Sequence, residues 1–323
     1  MRFLSNKRAI VAGAAALLAV ATLAGCSASN GAAGATAEAG QGTYAKSSDT
    51  LVFGAVPDQA GSDSNWKPVE DYIAKKTGKK VEFYPTSDYT ALIAAAVAGK
   101  VDIASFSGLT YVQAVNKGAK LGVASAVVSS PGLKDPGYYS EAIVPKGSPI
   151  TKLADFAGKK ICFVDPNSTS GFLFPLLALS KAGLSVKSSG TDASGNPKFS
   201  DFTASFAGAH DKSVQSIATK QCDAGFAEDT EADAAAKKGQ VTVIDKQYVP
   251  GGPLVYSKAL PSAEQTKLTS IMKSITVDDI TAAGISTSDG FTSTFFGAIA
   301  EKDSYYKSIR DICTQVPAAE CAS

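Results

Sequence analysis

Short apolar runs and longer amphipathic stretches take turns along this chain from residue 50 onward. TLVFGAVP (50–57) reads as a strand, and NWKPVEDYIAKKTGKK (65–80) as a helix with Pro68 near its start and Gly78 near its end. Strand VEFYPT (81–86), the Ala-rich helix SDYTALIAAAVAGK (87–100), strand VDIASFS (101–107) and helix LTYVQAVNKG (109–118) follow. Two strands, LGVASAVV (121–128) and YYSEAIVPK (138–146), close this series. A second series opens with a short helix and turn (150–160), strand ICFVDP (161–166) and a helix over 171–183 interrupted by Pro175. A polar, Gly-rich stretch (187–200) reads as an exposed loop. Strand 202–208, helix 211–221, strand 222–228, helix 229–239 and strand 241–247 complete it. Strands alternating with helices predict an α/β protein with mostly parallel sheets, and two such series predict two lobes.

The first 48 residues break this pattern. Arg2, Lys7 and Arg8 precede an uncharged apolar stretch that ends in Leu23-Ala24-Gly25-Cys26. A positive start, a short apolar core and small residues before a cleavage point make a secretory signal. LAGC resembles the bacterial lipobox, so residues 1–25 are expected to be a lipoprotein signal peptide and Cys26 the lipidated residue. Residues 26–49 are dominated by Gly, Ala, Ser and Thr, a composition that buries no core and predicts a flexible tether, with the folded part starting near Asp49. Loss of the three signal cations lowers the 31 Lys+Arg to 28, against 30 Asp+Glu, a net charge of −2. That balance argues against a nucleic-acid partner. Cys162, Cys222, Cys313 and Cys321 form an even set in an exported chain, which predicts disulfides. Three pairings are possible. Spacing favours Cys313–Cys321 across a short C-terminal loop, leaving Cys162–Cys222. Without a CxxC, and with His210 as the single histidine, no metal or other cofactor is expected.

Parallel α/β sheets hold ligands at the carboxyl ends of their strands. That rule selects PTSDY, FSGLT, DPNSTSG, AGAHD and FAEDTE. In DPNSTSG, Ser168, Thr169, Ser170 and Gly171 sit between a strand and a helix. A helix start leaves backbone N–H groups unsatisfied and carries a partial positive charge, which suits an anion. The hydroxyls add donors, and Gly171 lets the backbone come close to a ligand. Capping of the helix by a hydroxyl is the plain alternative. Arg310 is the one arginine beyond the signal, so hydroxyls and amides are the donors at hand for an oxyanion. His210, with an imidazole whose charge changes near neutral pH, joins the set, as do the phenols of Tyr89 and Tyr138. No enzyme is expected: the G-x-S-x-G elbow of serine hydrolases is absent, with Thr169 where its serine would stand and Asn167 at its first glycine.

The segments SDYTALIAAAVAGKVDIASFSGLTYVQA, DPGYYSEAIVPKGSPITKLADFAGKK, VDPNSTSGFLFP, AGAHDKSVQSIATKQCDAG and VPGGPLVYSKAL occur in this order. Together they resemble the phosphate/phosphite/phosphonate substrate-binding proteins of ABC importers over residues 50–260. The resemblance implies a type II periplasmic-binding-protein fold of two lobes joined by a two-stranded hinge. Lobe 1 is expected over 50–143 plus 249–323 and lobe 2 over 144–248, with crossings near 141–147 and 243–250. It implies a small phosphorus oxyanion (phosphonate, phosphite or phosphate) held by Tyr89, Tyr138, Ser168, Thr169, Ser170 and His210. A family acid after the strand maps to Glu231, with Glu228 as the alternative. Where many members carry an acid in an IPGDP-like segment, this chain has VPGGP, with Gly252 at that position. The implied partners are a transmembrane ABC permease and, through the lipid, the outer face of the bacterial cytoplasmic membrane, with the protein a monomer. A surface lipoprotein that senses the anion and signals to a partner is the alternative from another class.

Overall fold

The computed structural model describes residues 42–321, so the expected signal peptide, Cys26 and the tether as far as residue 41 lie outside the described residues. In chain order the strands are β1 (Thr50–Ala55), β2 (Lys80–Tyr84), β3 (Ile103–Ser105), β4 (Leu121–Val128), β5 (Gly137–Pro145), β6 (Lys160–Phe163), β7 (Thr203–Phe206), β8 (Ala224–Glu228), β9 (Val241–Pro250), β10 (Pro253–Ser257) and β11 (Gly297–Ala300). The α-helices are α1 (Ser62–Thr77), α2 (Tyr89–Val97), α3 (Gly108–Asn116), α4 (Phe174–Lys181), α5 (His210–Ala218), α6 (Asp229–Lys237), α7 (Ser262–Met272), α8 (Val277–Ala282), α9 (Asp289–Thr294) and α10 (Lys307–Gln315).

Two sheets form. The first has the order β11-β4-β10-β3-β1-β2, the second β7-β6-β8-β5-β9. Parallel pairing is confined to β2-β1-β3 and to β7-β6-β8. Strands next to the crossings, β5 and β10, run antiparallel to their neighbours. The sheets are therefore mixed rather than mostly parallel, because a chain that enters a lobe from the other one lays its first strand against the local direction.

The expected crossings fall inside β5 and β9. These strands pair with each other from Gly137↔Pro250 to Pro145↔Val241, wholly within the second sheet. The chain instead crosses between β4 and β5 and between β9 and β10. A strand's residues do not mark the sheet it joins, so both expected crossings were misplaced. The two connections touch: Gly251 N–H donates to Pro136 O (3.3 Å), and beside them Val127 N–H donates to Gly252 O (2.9 Å). Gly251 is required there, since a Cβ on it would lie 2.1 Å from the Val127 carbonyl oxygen.

The folded part also starts earlier than Asp49. Thr43 N–H donates to Ala259 O (2.6 Å), Ala45 N–H to the buried Asp102 carboxylate (2.8 Å), and Tyr44 packs against the core of the first lobe. Two proline expectations shift as well. Helix α1 begins at Ser62, which puts Pro68 inside it. Pro175 stands at the second residue of α4, where a missing N–H costs no hydrogen bond. The expected helix over 150–160 shrinks to a single 3₁₀ turn, Leu153–Phe156. In the second lobe Phe163 stacks on Phe206 and Phe226 and meets Phe172 edge-on. Burial of each such ring is worth about 1.5–3 kcal/mol. Both disulfides are present. Cys162–Cys222 joins β6 to the entry of its neighbour β8, and Cys313–Cys321 closes the C-terminal loop.

Candidate functional site

Strand β6 ends at Phe163, and the chain turns through Asp165–Asn167 into a π-helical turn, Thr169–Leu173. Gly171 makes this turn possible for a reason other than ligand approach. A Cβ at that position would sit 2.3 Å from the Val164 side chain, and Val164 N–H donates to Gly171 O (3.1 Å). Single π-helical turns inside helical segments often mark functional sites.

The three hydroxyls have three different tasks. Ser168 caps the turn, its Oγ accepting from Gly171 N–H (3.0 Å), and its hydroxyl hydrogen is left to serve the cavity it borders. Thr169 reaches across the cleft, where its Oγ1 accepts the Leu109 N–H at the start of α3 (2.8 Å). Ser170 Oγ lies 3.5 Å from His210 Nε2, and Ser170 O accepts from Ser140 Oγ (2.6 Å). Thr169 and Ser170 are fully buried behind the cavity wall.

His210 is the first residue of α5. Its Nδ1 accepts the Glu228 N–H (2.9 Å), so the ring hydrogen belongs on Nε2, which points at Ser170. Burial lowers the imidazole pKa to about 3. His210 is thus a neutral donor near pH 7, not the charge-changing group that its ordinary pKa suggests. The Tyr138 phenol meets Ser170 and the Tyr89 phenol meets Ser168. Burial raises both phenol pKa values, which keeps each hydroxyl protonated and able to donate. A relay results: Glu228 N–H fixes His210, His210 Nε2–H orients Ser170, and Ser170 meets Tyr138.

Tyr89, Tyr138, Ser168, His210 and Glu228 border one cavity of about 80 Å³ between the two sheets. Glu231, favoured by the sequence, lines a separate groove with Asp211 and Lys238. The strand-end rule explains the difference. Glu228 is the last residue of β8, whereas Glu231 lies in the first turn of α6. Gly252 also lines the cavity, and a Cβ there would lie 2.3 Å from the Phe106 carbonyl oxygen. This backbone has no room for an acid at that position.

Sequence reasoning missed the other wall. Asp58 follows β1 in the same strand-end position as the chosen segments, and VPDQ could have been selected by the same rule. Trp66, Phe291, Thr294 and Phe295 also line the cavity. The last three come from α9 and its end, beyond the residues 50–260 over which the resemblance was drawn. Among the described residues no Lys or Arg lines the cavity. Among the described residues four hydrogen bonds cross the cleft beside it. They run from Leu109 N–H to Thr169 Oγ1, from Thr110 Oγ1 to Asn167 O (3.0 Å), from Asn167 Nδ2 to Thr90 Oγ1 (3.0 Å), and from His210 N–H to Asp58 O (2.7 Å).

Two α/β lobes, joined by two adjacent connections and closed over a small donor-rich cavity, define a type II periplasmic binding protein. The fold agrees with solved structures. PhnD1 from Prochlorococcus marinus, in complex with methylphosphonate, superposes with a TM-score of 0.66 at 20% identity, covering 84% of this chain and 99% of that one. In sequence, the family described as ABC transporter, phosphonate, periplasmic substrate-binding protein matches residues 53–311, and this chain belongs to it. It is 34% identical over 317 residues to the phosphate-import protein PhnD of Mycolicibacterium smegmatis, covering 94% of this chain and 97% of the relative. It is 32% identical over 230 residues to the phosphonates-binding periplasmic protein of Escherichia coli, covering 68% of this chain and 64% of that protein. The family consists of substrate-binding transport proteins, not enzymes.

Proposed function

We propose that this protein is an exported, lipid-anchored receptor that captures a small phosphorus oxyanion between its lobes and presents it to an ABC permease. One observation carries the reading. A cleft cavity without a cation is bordered by the Ser168 hydroxyl, the Tyr89 and Tyr138 phenols and the neutral His210. The Ser168 hydroxyl and the two phenols donate hydrogen bonds to an oxyanion at short range, with His210 acting through Ser170, and hydrogen bonds to a charged group are each worth about 1.5–3 kcal/mol. Thr169 and Ser170 act from behind this layer, Thr169 as a latch to α3 and Ser170 as the support of Tyr138. Glu228 faces the ligand, and Glu231 has no part in binding.

The cavity volume suits such a ligand. One water needs about 10–15 Å³ by this measure, so 80 Å³ takes a handful of heavy atoms. Phosphate, phosphite and methylphosphonate are of that size. The near full-length similarity to a phosphate-import protein supports phosphate among the three. Calorimetric titration with phosphate, phosphite, methylphosphonate and sulfate tests the reading. Tight binding of at least one phosphorus oxyanion is expected, and binding of none sinks it. The anchor has its own test. Mass spectrometry of the mature N-terminus should find acyl chains on Cys26, and an unmodified terminus elsewhere refutes the lipid.

A further inference from the structure

The ligand cavity is lined by no cation, yet one end of the first lobe gathers several. A groove of about 620 Å³ there is lined by Lys120, Lys258, Lys307 and Arg310, with Asp303 as its single lining carboxylate. Topology puts this groove at the end of the sheet away from the ligand. Lys120 stands just before β4, and Lys258 just after its antiparallel neighbour β10. The ligand cavity takes Val127 from the other end of β4 and Gly252 from just before β10. The backbones of the two lysines meet, Lys258 N–H donating to Lys120 O (2.8 Å).

The charges in the groove are unequally spent. Asp303 accepts from the Tyr111 phenol (2.7 Å) and pairs with Arg310, so carboxylate and guanidinium hold each other. Lys307 pairs with Asp311 one helical turn on. Lys120 and Lys258 are exposed and, among the described residues, enter no ion pair. Four cations less Asp303 and Asp311 leave a local charge of +2, on a mature chain whose net charge is −2. Attraction to an anionic surface is therefore a property of this end and not of the whole protein.

The chain enters the fold beside the same lysine. Thr43 N–H donates to Ala259 O (2.6 Å), one residue past Lys258, and Gly42 lies against Leu260 and Pro261. The 16 residues 26–41 separate this point from Cys26 and can reach about 60 Å at most. A lipid on Cys26 keeps the groove within that distance of a bilayer, and such confinement gives a weak contact a high effective concentration. Each Lys or Arg at an anionic bilayer surface strengthens binding by about fivefold.

We propose that this groove is a membrane-contact face: Lys120 and Lys258 bind the phosphodiester headgroups of anionic phospholipids in the bilayer that carries the Cys26 lipid. The proposal rests on the lipid-anchor reading above. Seated in this way, the first lobe turns its ligand cleft away from the bilayer, where arriving anions have free access. A contact made by two lysines is weak enough to break each time the receptor turns that cleft toward a permease.

Vesicle sedimentation of the unlipidated mature chain carrying Cys26→Ala tests this, because it reads the groove without the anchor. The vesicles are phosphatidylcholine alone or with about one phosphatidylglycerol in three. Binding to the anionic vesicles should exceed binding to the neutral ones by about tenfold or more, and should vanish in about 0.5 M salt, where charges are screened within a few ångströms. Lys120→Gln with Lys258→Gln should lower that binding by about tenfold or more. Lys187→Gln with Lys198→Gln, an exposed pair on the second lobe, should leave it unchanged. Both double variants should keep the wild-type melting curve and the wild-type titration with phosphorus oxyanions. Equal binding to the two kinds of vesicle, or equal loss in the two double variants, overturns the proposal. So does release of the wild type by glycerol phosphate at an ionic strength held constant with chloride, which assigns the groove to a soluble phosphate ester. Mass spectrometry that finds Cys26 without acyl chains removes the anchor reading, and with it the bilayer named here, whatever the vesicles show.

Discussion

Ser168→Ala separates two tasks that one hydroxyl performs. As a cap, Ser168 Oγ accepts the Gly171 N–H at 3.0 Å. Loss of a serine cap costs about 1 kcal/mol, which lowers the melting temperature of a protein this size by about 2–4 °C. As a ligand donor, the same hydroxyl faces the cavity with its hydrogen uncommitted to the cap. Loss of one hydrogen bond to a charged group costs about 1.5–3 kcal/mol, or a roughly tenfold to hundredfold rise in Kd, since 1.4 kcal/mol is tenfold. Calorimetric titration with phosphate or methylphosphonate reads the second effect and a thermal melt without ligand reads the first. Both should appear in the one variant. A lowered melting temperature with unchanged Kd would mean that the cap is the whole role of Ser168. An unchanged melting temperature with weakened binding would refute the cap.

Thr110→Val removes the Thr110 Oγ1 bond to Asn167 O across the cleft. It should weaken binding by about twofold to tenfold, because a neutral hydrogen bond of roughly 0.5–1.5 kcal/mol then no longer favours the closed form; equal affinity in titration would show that the latch is idle. Burial raises the pKa of Glu70 from 4.5 to about 7, so the folded state holds a proton there that the unfolded state has lost. That stability is complete below pH 4.5 and lost as pH rises through about 7, so Glu70→Gln should melt above the wild type at pH 8 and level with it at pH 4; parallel melting profiles would refute this. Replacing Cys162 and Cys222 by Ala should cost more than replacing Cys313 and Cys321, about 4 against 2.5 kcal/mol for their loops of 60 and 8 residues on the chain-entropy account; denaturant melts giving the reverse order would contradict that account.

The alternating pattern revealed the elements better than it revealed their arrangement. The sequence was enough to show that YYSEAIVPK and VTVIDKQ are strands. It could not show that they pair along their full length, because pairing partners far apart in sequence leave no mark on either run. The lobe crossings were displaced for that reason. At the site, the strand-end rule placed Tyr89, Ser168, His210 and Glu228 beside one cavity because each opens a helix or closes a strand. Asp58 obeys the same rule and was passed over, since a lone Asp after a strand looks like an ordinary loop residue. Phe291 and Phe295 follow no such rule. They reach the cavity because α9 folds back against α1, a contact between residues more than two hundred positions apart. The division of labour among Ser168, Thr169 and Ser170 was also hidden, since three adjacent hydroxyls differ only in direction once the turn is built.

An anion site without a cation depends on closure more than a site with one does. Fixed dipoles hold an anion well only where water is excluded, because in bulk water the same donors compete with solvent on even terms. Here the groups that exclude water are close to those that bind. Thr169 and Asn167 of the DPNSTSG turn latch onto α3 and Thr90, and the His210 N–H latches onto Asp58 O. Four such bonds together contribute roughly 2–6 kcal/mol to the closed form, so any ligand that favours the turn in its closed position gains that sum as well. The converse gives release. Once the lobes part, the latches go to water, the cavity floods, and no residual charge remains to hold the anion on the opened lobe. A receptor that must hand its ligand on gains from this arrangement, because opening alone lowers affinity and no ion pair has to be broken.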